Sequence, residues 1–292
     1  MQSQIVAQAI QFANEGILSA KSLYMTAVGQ TAAESPADDM ELMLGYMQQL
    51  PPALRDPIWF EMTAKYSPQL AEYWRTDESG PMPPAARVLN SASYTPYFVR
   101  FLRTPAGAGL AALHTKRVAQ FADDLTKEAN PDRVAETNQF LATLLLVQGT
   151  DDVDAADKDA LLPKLKTWRS MSKFRGRLAS EASDRVISLL TNDRVPEMQM
   201  VRTMLLRSLD ECGAPGCQVI SGLQRCGRCK TTGYCDQAHQ KAAWSKHKKL
   251  CFETNFDAIN VPAIEAGPSG QAESAVEPEL SIEADPSNDA DL

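Results

Sequence analysis

Apolar residues recur at steps of three and four along most of the first 211 residues, and this is the spacing of one face of an α-helix. The pattern is clearest over residues 3–28, 109–125 and 133–147. No convincing run of alternating apolar and polar residues, the signature of a half-buried strand, interrupts it. The sequence therefore predicts a mainly α fold with a multi-helix body.

Proline residues mark several of the expected helix boundaries. Ser-Pro or Pro-Pro pairs within residues 35–39, 51–54 and 67–74 predict three helix starts, because proline is tolerated in the first turn of a helix. The segment "PYFVRFL" at 96–102 is compatible with either a strand or a helix. No clean repeat period emerges, although many short helices joined by tight proline turns are typical of an α-solenoid-like array.

Charge divides the chain into three segments. Residues 252–292 contain ten acidic residues and no Lys or Arg, whereas residues 212–251 contain seven Lys or Arg and one Asp. The remaining segment, 1–211, is mildly acidic. Since the last segment is also poor in aromatic residues and rich in Pro, Ser and Gly, it is predicted to be disordered. The expected organisation is a helical domain, a small basic module and an acidic disordered tail.

No segment of the sequence resembles a membrane or export signal. The first residues lack a basic start and reach polar residues quickly, which argues against a signal peptide. The longest apolar run, at 140–147, is too short to span a bilayer. The expected location is therefore the cytoplasm or the nucleus.

All six cysteines lie between residues 212 and 251, together with two of the three histidines. Clustered cysteines in a small secreted chain would indicate disulfides, which are the alternative here. Zinc is the favoured interpretation, because metal binding explains the added histidines. The third histidine, His114, has no candidate ligand nearby in sequence and is expected to pack in the core or lie on the surface. The eight candidate ligands form four pairs: Cys212 with Cys217, Cys226 with Cys229, Cys235 with His239, and His247 with Cys251.

Helical spacing favours one of the two ways of grouping these pairs. The ligands from Cys235 to Cys251 are spaced by four or eight residues, so one helix could carry them along one stripe, and no Gly or Pro lies between residues 237 and 249 to end it. Grouping in sequence order would require one zinc to bind both Cys235 and Cys251, about 24 Å apart along a helix axis. A break in the helix would permit that grouping, whereas interleaving the pairs needs no break. The interleaved prediction is two Cys3His zinc sites: Cys212, Cys217, Cys235 and His239 for zinc 1, and Cys226, Cys229, His247 and Cys251 for zinc 2.

Residues 212–251 resemble a MYND-type zinc finger. Besides the ligands, the residues that fall in register are Tyr234, Gln240, Trp244 and the His247–Lys248 pair. Two positions depart from the family pattern, since the sixth ligand is His239 rather than Cys, and Ala243 stands where an acidic residue is common. The resemblance implies two interleaved structural zinc ions and a compact fold. It also implies that short proline-containing peptides bind at Gln240 and Trp244.

These features favour a binding protein over an enzyme. Each predicted site has four protein ligands, whereas a catalytic zinc keeps an open position for water or substrate. The sequence predicts a zinc-binding protein–protein interaction adaptor whose finger binds a proline-containing motif of a partner. The alternative is a nucleic-acid-associated regulator that uses the basic face of the finger, including Lys241 and Lys246. Packing alone would instead place Trp244 and Tyr234 against the metal core.

Overall fold

The protein is described by a computed structural model that covers residues 2–31, 36–192 and 195–256. Helices dominate this part of the chain, which confirms the prediction of a mainly α fold. The predicted tail lies outside the described residues from residue 257 onward. The described helices are α1 (Gln2–Asn14), α2 (Ala20–Ala27), α3 (Pro36–Gln49), α4 (Pro52–Thr76), α5 (Pro84–Ser91), α6 (Pro96–Phe101), α7 (Leu110–Gln120), α8 (Ala122–Glu128), α9 (Pro131–Gln148), α10 (Ala155–Ser170), α11 (Leu178–Thr191), α12 (Val195–Asp210) and α13 (Gln237–His247).

The described part of the chain also contains two short strands. β1 (Gln224–Arg225) and β2 (Gly233–Tyr234) pair antiparallel, with Gln224 opposite Tyr234. Both strands follow α12 and precede α13, so they belong to the cysteine-rich segment. The described parts of the helical body and of this segment form one compact unit.

Proline at the first helical position begins α4, α5, α6 and α9. A proline costs little there, because the first amides of a helix have no intrahelical partner. At α6 the preceding Thr95 adds a cap, since its side-chain oxygen accepts a hydrogen bond from the amide of Phe98. The ambiguous segment at 96–102 is therefore largely helical.

The helix start predicted at Ser67–Pro68 is wrong, because α4 continues through it to Thr76. Pro68 has no N–H to donate to the carbonyl of Ala64, a loss that normally ends or kinks a helix. Local side chains help to hold this turn, since Ser67 Oγ donates to the carbonyl of Thr63 at 2.7 Å. The freed carbonyl of Ala64 accepts a hydrogen bond from a distant segment described below.

The centre of the body is an aromatic cluster contributed by α4, α6, α7 and α9. The ring of Trp74 lies 5.5 Å from that of Phe140 and 5.4 Å from that of His114, and Phe98 packs 6.0 Å from Phe140. All four residues are fully buried. Burying side chains of this size contributes roughly 1.5–3 kcal/mol each. Around this centre, α9 packs against α11, and α10 packs against both α7 and α11.

His114 lies in this core, which is one of the two locations predicted for it from the sequence. Its Nε2 is 3.1 Å from the carbonyl oxygen of Thr137, so the neutral ring donates from Nε2. Its Nδ1 is buried without a hydrogen-bond partner among the described residues. Burial, opposed by the bond to Thr137 and helped by the charge of Arg117, lowers the pKa of His114 to about 4.

The low pKa of His114 predicts a specific acid sensitivity. Between pH 6.5 and pH 4 the unfolded chain binds a proton at this histidine that the folded chain does not. The free energy of unfolding should therefore fall as the pH drops through this range, by up to about 3 kcal/mol. Urea denaturation of the zinc-loaded protein at several pH values measures this slope. His114→Gln, which retains a donor for Thr137 but does not titrate, should have the shallower slope, and equal slopes would contradict the assignment.

No helix in the described part of the chain is both long enough and apolar enough to cross a membrane.

Candidate metal centre

The turn between β1 and β2 carries two of the candidate ligands, Cys226 and Cys229. The amide of Cys226 donates to the carbonyl of Thr232, and the amide of Lys230 donates back to the carbonyl of Cys226, both at 2.9 Å. Lys230 adopts the left-handed conformation, with φ of 53°, which reverses the chain directly after Cys229. The two sulfurs therefore leave the same tight turn, as the Cys-x2-Cys spacing requires.

The first ligand, Cys212, is fixed by backbone contacts at the end of α12. Its amide donates to the carbonyl of Val219, and the next amide, of Gly213, donates to the carbonyl of Gly233 in β2. A side chain at Gly213 would place its first carbon 2.6 Å from the methyl group of Thr232, so the close approach requires glycine. The loop from 212 to 219 is thereby held against β2.

The two histidines of α13 lie too far apart along the helix to bind the same metal ion. The side chain of Asp236 caps the helix by accepting from the amide of His239 at 2.8 Å. His239 and His247 are eight residues apart, which is about 12 Å along a helix axis. The helix ends at His247, and a 3-10 turn over Lys248–Leu250 then leads to Cys251. The α-helix is therefore shorter than the continuous helix that the sequence allowed.

The eight candidate ligands converge into two clusters of four. Within each cluster, the potential donor atoms all lie within 4.8 Å of one another. The grouping is the interleaved one, in which each cluster contains three cysteines and one histidine. The clusters are site 1 (Cys212, Cys217, Cys235 and His239) and site 2 (Cys226, Cys229, His247 and Cys251).

Distances between the donor atoms fit a tetrahedral zinc ion. Zinc bonds of about 2.3 Å to sulfur and 2.0 Å to nitrogen imply tetrahedral edges of about 3.8 Å between sulfurs and 3.5 Å between sulfur and nitrogen. The corresponding separations are 3.6 Å for Cys217–Cys235, 3.8 Å for Cys226–Cys251, 3.4 Å for Cys212–His239 and 3.7 Å for Cys229–His247. All six cysteines are free, and sulfurs this far apart are well beyond the disulfide bond length of about 2.05 Å. The donor sets are thus those of two structural zinc sites rather than of disulfides.

Thiol ionisation within each cluster also favours a cation. In site 1, burial and the hydrogen bonds and charges of the neighbouring thiols raise the pKa of Cys235 to about 12. Burial acts on Cys212 in the same direction, but hydrogen bonds from backbone amides and from His239 outweigh it and lower its pKa to about 6. In site 2, burial and the adjacent thiolates likewise raise the pKa of Cys251 to about 12. A zinc ion placed among the sulfurs removes this repulsion and holds all three as thiolates.

Site 2 is supported by the hydroxyl of Tyr97, which comes from α6 of the helical body. Tyr97 Oη donates to the carbonyl of Leu250 at 2.9 Å and accepts from the amide of Phe252 at 2.8 Å. These contacts flank the ligand Cys251 on both sides. Burial opposes ionisation of Cys229, but hydrogen bonds from the backbone amides of Thr232 and Thr231 outweigh it and lower its pKa. Tyr97 therefore positions the segment around the ligand Cys251 from outside the finger.

Arg100, one turn further along α6, makes a second set of contacts to the finger. Its Nη1 donates to the carbonyl of Cys229 at 2.9 Å, and it also lies 3.2 Å from the hydroxyl oxygens of Thr231 and Thr254. The guanidinium stacks 5.3 Å from the centre of the Phe256 ring. Neither Tyr97 nor Arg100 was predicted from the sequence as a functional residue. Their signal was two polar side chains within the otherwise apolar segment 96–102.

Pro68, one of two prolines inside α4, creates a further attachment point for the finger. Because Pro68 cannot donate to it, the carbonyl of Ala64 is open, and the amide of Asn255 donates to it at 3.0 Å. Asn255 lies four residues after the last zinc ligand. The open carbonyl of Ala64 in α4 therefore anchors the segment that follows the finger.

Residues 252–256 pack on the body, whereas the sequence analysis assigned them to the tail. Phe256 is almost fully buried, and its ring lies 5.7 Å from that of Phe101. Phe252 packs against the same core and is partly buried. Two phenylalanines at the start of an otherwise acidic segment are the signal that would have placed this boundary later.

The contacts of Tyr97 predict a measurable loss of stability in Tyr97→Phe. Removing the hydroxyl leaves the amide of Phe252 and the carbonyl of Leu250 without their partner in a partly buried position. Unpaired buried groups cost about 1–3 kcal/mol, so the free energy of unfolding should fall by that amount. Urea denaturation of zinc-loaded protein measures it.

Tyr94→Phe is the matched control, because it also removes one hydroxyl. Tyr94 is half exposed and bonds Asp56 at the surface, so its loss should change stability by less than about 0.5 kcal/mol. Equal effects of the two variants would contradict a supporting role for Tyr97.

Three further residues singled out by the sequence have distinct placements. Tyr234 is buried, and its ring lies 5.8 Å from that of His247. It therefore packs against site 2, as the sequence predicted for a residue next to the metal core. Trp244 lies on α13 with 42% of its surface exposed, although its ring also comes within 5.8 Å of His247. Gln240 lies one turn before it and is partly buried. Gln240 and Trp244 therefore share one face of the helix, at a spacing of four residues.

One family model matches the segment that contains both ligand clusters. Residues 210–251 match the MYND finger family. Egl nine homolog 1 of Mus musculus is 46% identical over 35 residues, which cover 12% of this chain and 9% of that protein. The chain thus matches less than a tenth of the length of that relative. No solved structure matches the chain.

Proposed function

We propose that this chain, whose residues 210–251 form a MYND finger, is an adaptor that binds a short proline-containing motif of a partner protein. The MYND finger is a zinc-binding protein-interaction domain. The observation that carries the finer proposal is the exposed indole of Trp244 on a helix fixed at both ends by zinc ligands. Large aromatic side chains exposed on a rigid surface are the usual anchors of protein recognition.

The pairing of Trp244 with Gln240 suits a proline-containing peptide. Such peptides are extended before binding, so they lose little entropy on docking, and their rings pack well on exposed aromatic surfaces. A glutamine one helical turn away offers both a donor and an acceptor for the peptide backbone. The resemblance to MYND-type fingers assigns the peptide contacts to these same two positions.

The closed zinc sites support a binding role over catalysis. Each site has four protein donors, so neither leaves the open position that a catalytic zinc needs. We therefore propose that the zinc ions hold the fold and that the chain acts by binding, without chemistry of its own at these sites.

The second candidate function, nucleic-acid association, rests on the basic surface of the finger. The side chains of Lys241, Lys246 and Lys248 are exposed on or next to α13. Arg225 contributes less than its charge implies, because its Nη1 donates to the carbonyls of Leu209 and Thr231 within the fold. We favour the protein partner, since this basic rim also attracts acidic residues that flank a peptide motif.

The proposal predicts that Trp244→Ala loses peptide binding while keeping the metal. Binding of proline-containing peptides from an immobilised library should weaken at least about ten-fold, the usual result of removing a central aromatic anchor. Fluorescence anisotropy with the captured peptides provides the affinities, and the zinc content should stay at two per chain.

Ile220→Ala serves as the matched control, because Ile220 is also an exposed apolar residue of the finger but belongs to the loop before β1 rather than to α13. It should bind the peptides as the wild type does. Capture of the same peptides by Trp244→Ala would refute the proposed surface. Salt-sensitive binding of DNA or RNA in place of peptide would support the second candidate.

A further inference from the structure

The helical body has a broad groove that lies apart from the zinc finger. Its volume is about 1200 Å³, and it is lined by residues of α1, α3, α5 and α9 and by the start of α11. None of its described lining residues belongs to the finger. The proposed function of the finger leaves this surface without a role.

Several large apolar side chains on the walls of the groove are exposed. Leu42 of α3 is 59% exposed and Leu178 at the start of α11 is 66% exposed. Ile5 of α1 and Tyr94, which follows α5, are also exposed large apolar residues on its walls. Large apolar side chains grouped in one concave surface mark a binding site more often than isolated ones do.

The charged residues of the groove are mainly acidic. Four carboxylates line it, with one cation, Arg87, between them. Arg87 lies 3.5 Å from a carboxylate oxygen of Glu41 and 3.6 Å from one of Glu136. These two ion pairs already neutralise its positive charge. Asp38 and Asp132, in the first turns of α3 and α9, add two further negative charges at the rim. The lining therefore carries a net negative charge around exposed apolar residues.

We propose that this groove binds a basic amphipathic helix of a partner protein. Apolar residues on one face of such a helix would cover Leu42, Leu178 and Tyr94. Lysine or arginine residues on its flanks would lie near Asp38 and Asp132. Grooves between packed helices commonly bind amphipathic helices. Apolar side chains spaced three or four residues apart on the bound helix then fill the groove. The body and the finger would then recognise two different classes of peptide.

The basic helix α10 of this chain does not offer such a face to a second copy. Its apolar residues Leu161, Leu165 and Trp168 are buried in its own body. Helix α10 of a second copy is therefore not the occupant, and the net negative charge of the lining favours a basic partner protein.

A model peptide tests the proposal directly on the full zinc-loaded chain. The probe is a fluorescent peptide of about four helical turns, with leucine on one face and lysine on the other. Fluorescence anisotropy should show saturable binding, and a peptide of the same composition scrambled to remove the apolar face should bind at least about ten-fold more weakly. Equal affinity for both peptides would overturn the proposal, because general charge attraction would then suffice.

Substitutions locate the binding surface. The double variant Leu42→Ser, Leu178→Ser should weaken the probe about ten-fold. Both residues are mostly exposed, so the fold should be retained, which circular dichroism checks. The matched control is Met204→Ser, Ile220→Ser, which changes two equally exposed apolar residues outside the groove. Equal weakening in both pairs, or none in the first, would overturn the assignment.

A second pair of variants tests the charge. Asp38→Asn with Asp132→Asn should weaken the probe at low salt and reduce the salt dependence of binding. The control, Asp123→Asn with Asp124→Asn, removes two carboxylates from the first turn of α8, which does not line the groove. An equal effect of the control pair would contradict the proposal. So would a dimer in sedimentation that Leu42→Ser dissociates, since the groove would then be occupied by a second copy.

Discussion

Replacing His239 by alanine is expected to lower the zinc content from two ions per chain to one. Site 1 would keep only Cys212, Cys217 and Cys235, and a structural zinc site with three protein ligands binds far more weakly than one with four. Site 2 shares none of its ligands with site 1, so its zinc should remain. Elemental analysis after exhaustive dialysis measures the ratio.

The matched control is His239→Cys, which supplies a sulfur at the position where the MYND family usually has cysteine. It should retain two zinc ions, because the helical position of the ligand is unchanged. If His239→Ala keeps both ions, His239 is not a ligand. If it loses both, the two sites are not independent, and the interleaved arrangement is insufficient to describe the finger.

Cys251→Ser is expected to have a wider effect, because site 2 is also where the finger meets the helical body. Loss of this ligand should release the zinc of site 2 and the adjoining contacts of Tyr97 and Arg100. The amides of Phe252 and Asn255, which donate to Tyr97 Oη and to the carbonyl of Ala64, should then exchange with solvent faster by about two orders of magnitude. Hydrogen exchange with mass spectrometry of the peptide containing residues 252–256 measures this.

Cys217→Ser is the control for that experiment, because it removes one sulfur from site 1 instead. Site 1 makes none of the contacts to α6 described here, so the exchange of Phe252 and Asn255 should remain close to that of the wild type. Faster exchange in both variants would show that the finger opens as one unit. Unchanged exchange in Cys251→Ser would contradict the link between site 2 and the attachment to the body.

The grouping of the zinc ligands was accessible from sequence because it follows from local geometry. The two cysteines of a Cys-x2-Cys pair share a turn, and His239 and His247 both lie on α13, whereas Cys235 and Cys251 lie just outside its two ends. A rise of about 1.5 Å per residue then separates His239 from His247 by too much for one ion. These constraints act within about forty residues, and the clusters in the structure have the arrangement that they require.

The docking of the finger on the body could not be predicted in the same way. Tyr97 and Arg100 contact residues that are about 130 to 155 positions later in the chain, and no local pattern records such a pairing. A helix start was predicted at Ser67–Pro68, because proline is tolerated in the first turn of a helix. The structure shows α4 continuing there, with Asn255 as the partner of the carbonyl that the proline leaves open.

The most direct test of the two-site arrangement is X-ray absorption spectroscopy at the zinc edge on His239→Ala. Interleaving leaves site 2, so the remaining zinc should have three sulfur neighbours at about 2.3 Å and one nitrogen at about 2.0 Å. Grouping in sequence order would instead leave Cys212, Cys217, Cys226 and Cys229 together. A spectrum with four sulfur neighbours and no nitrogen would therefore contradict the arrangement.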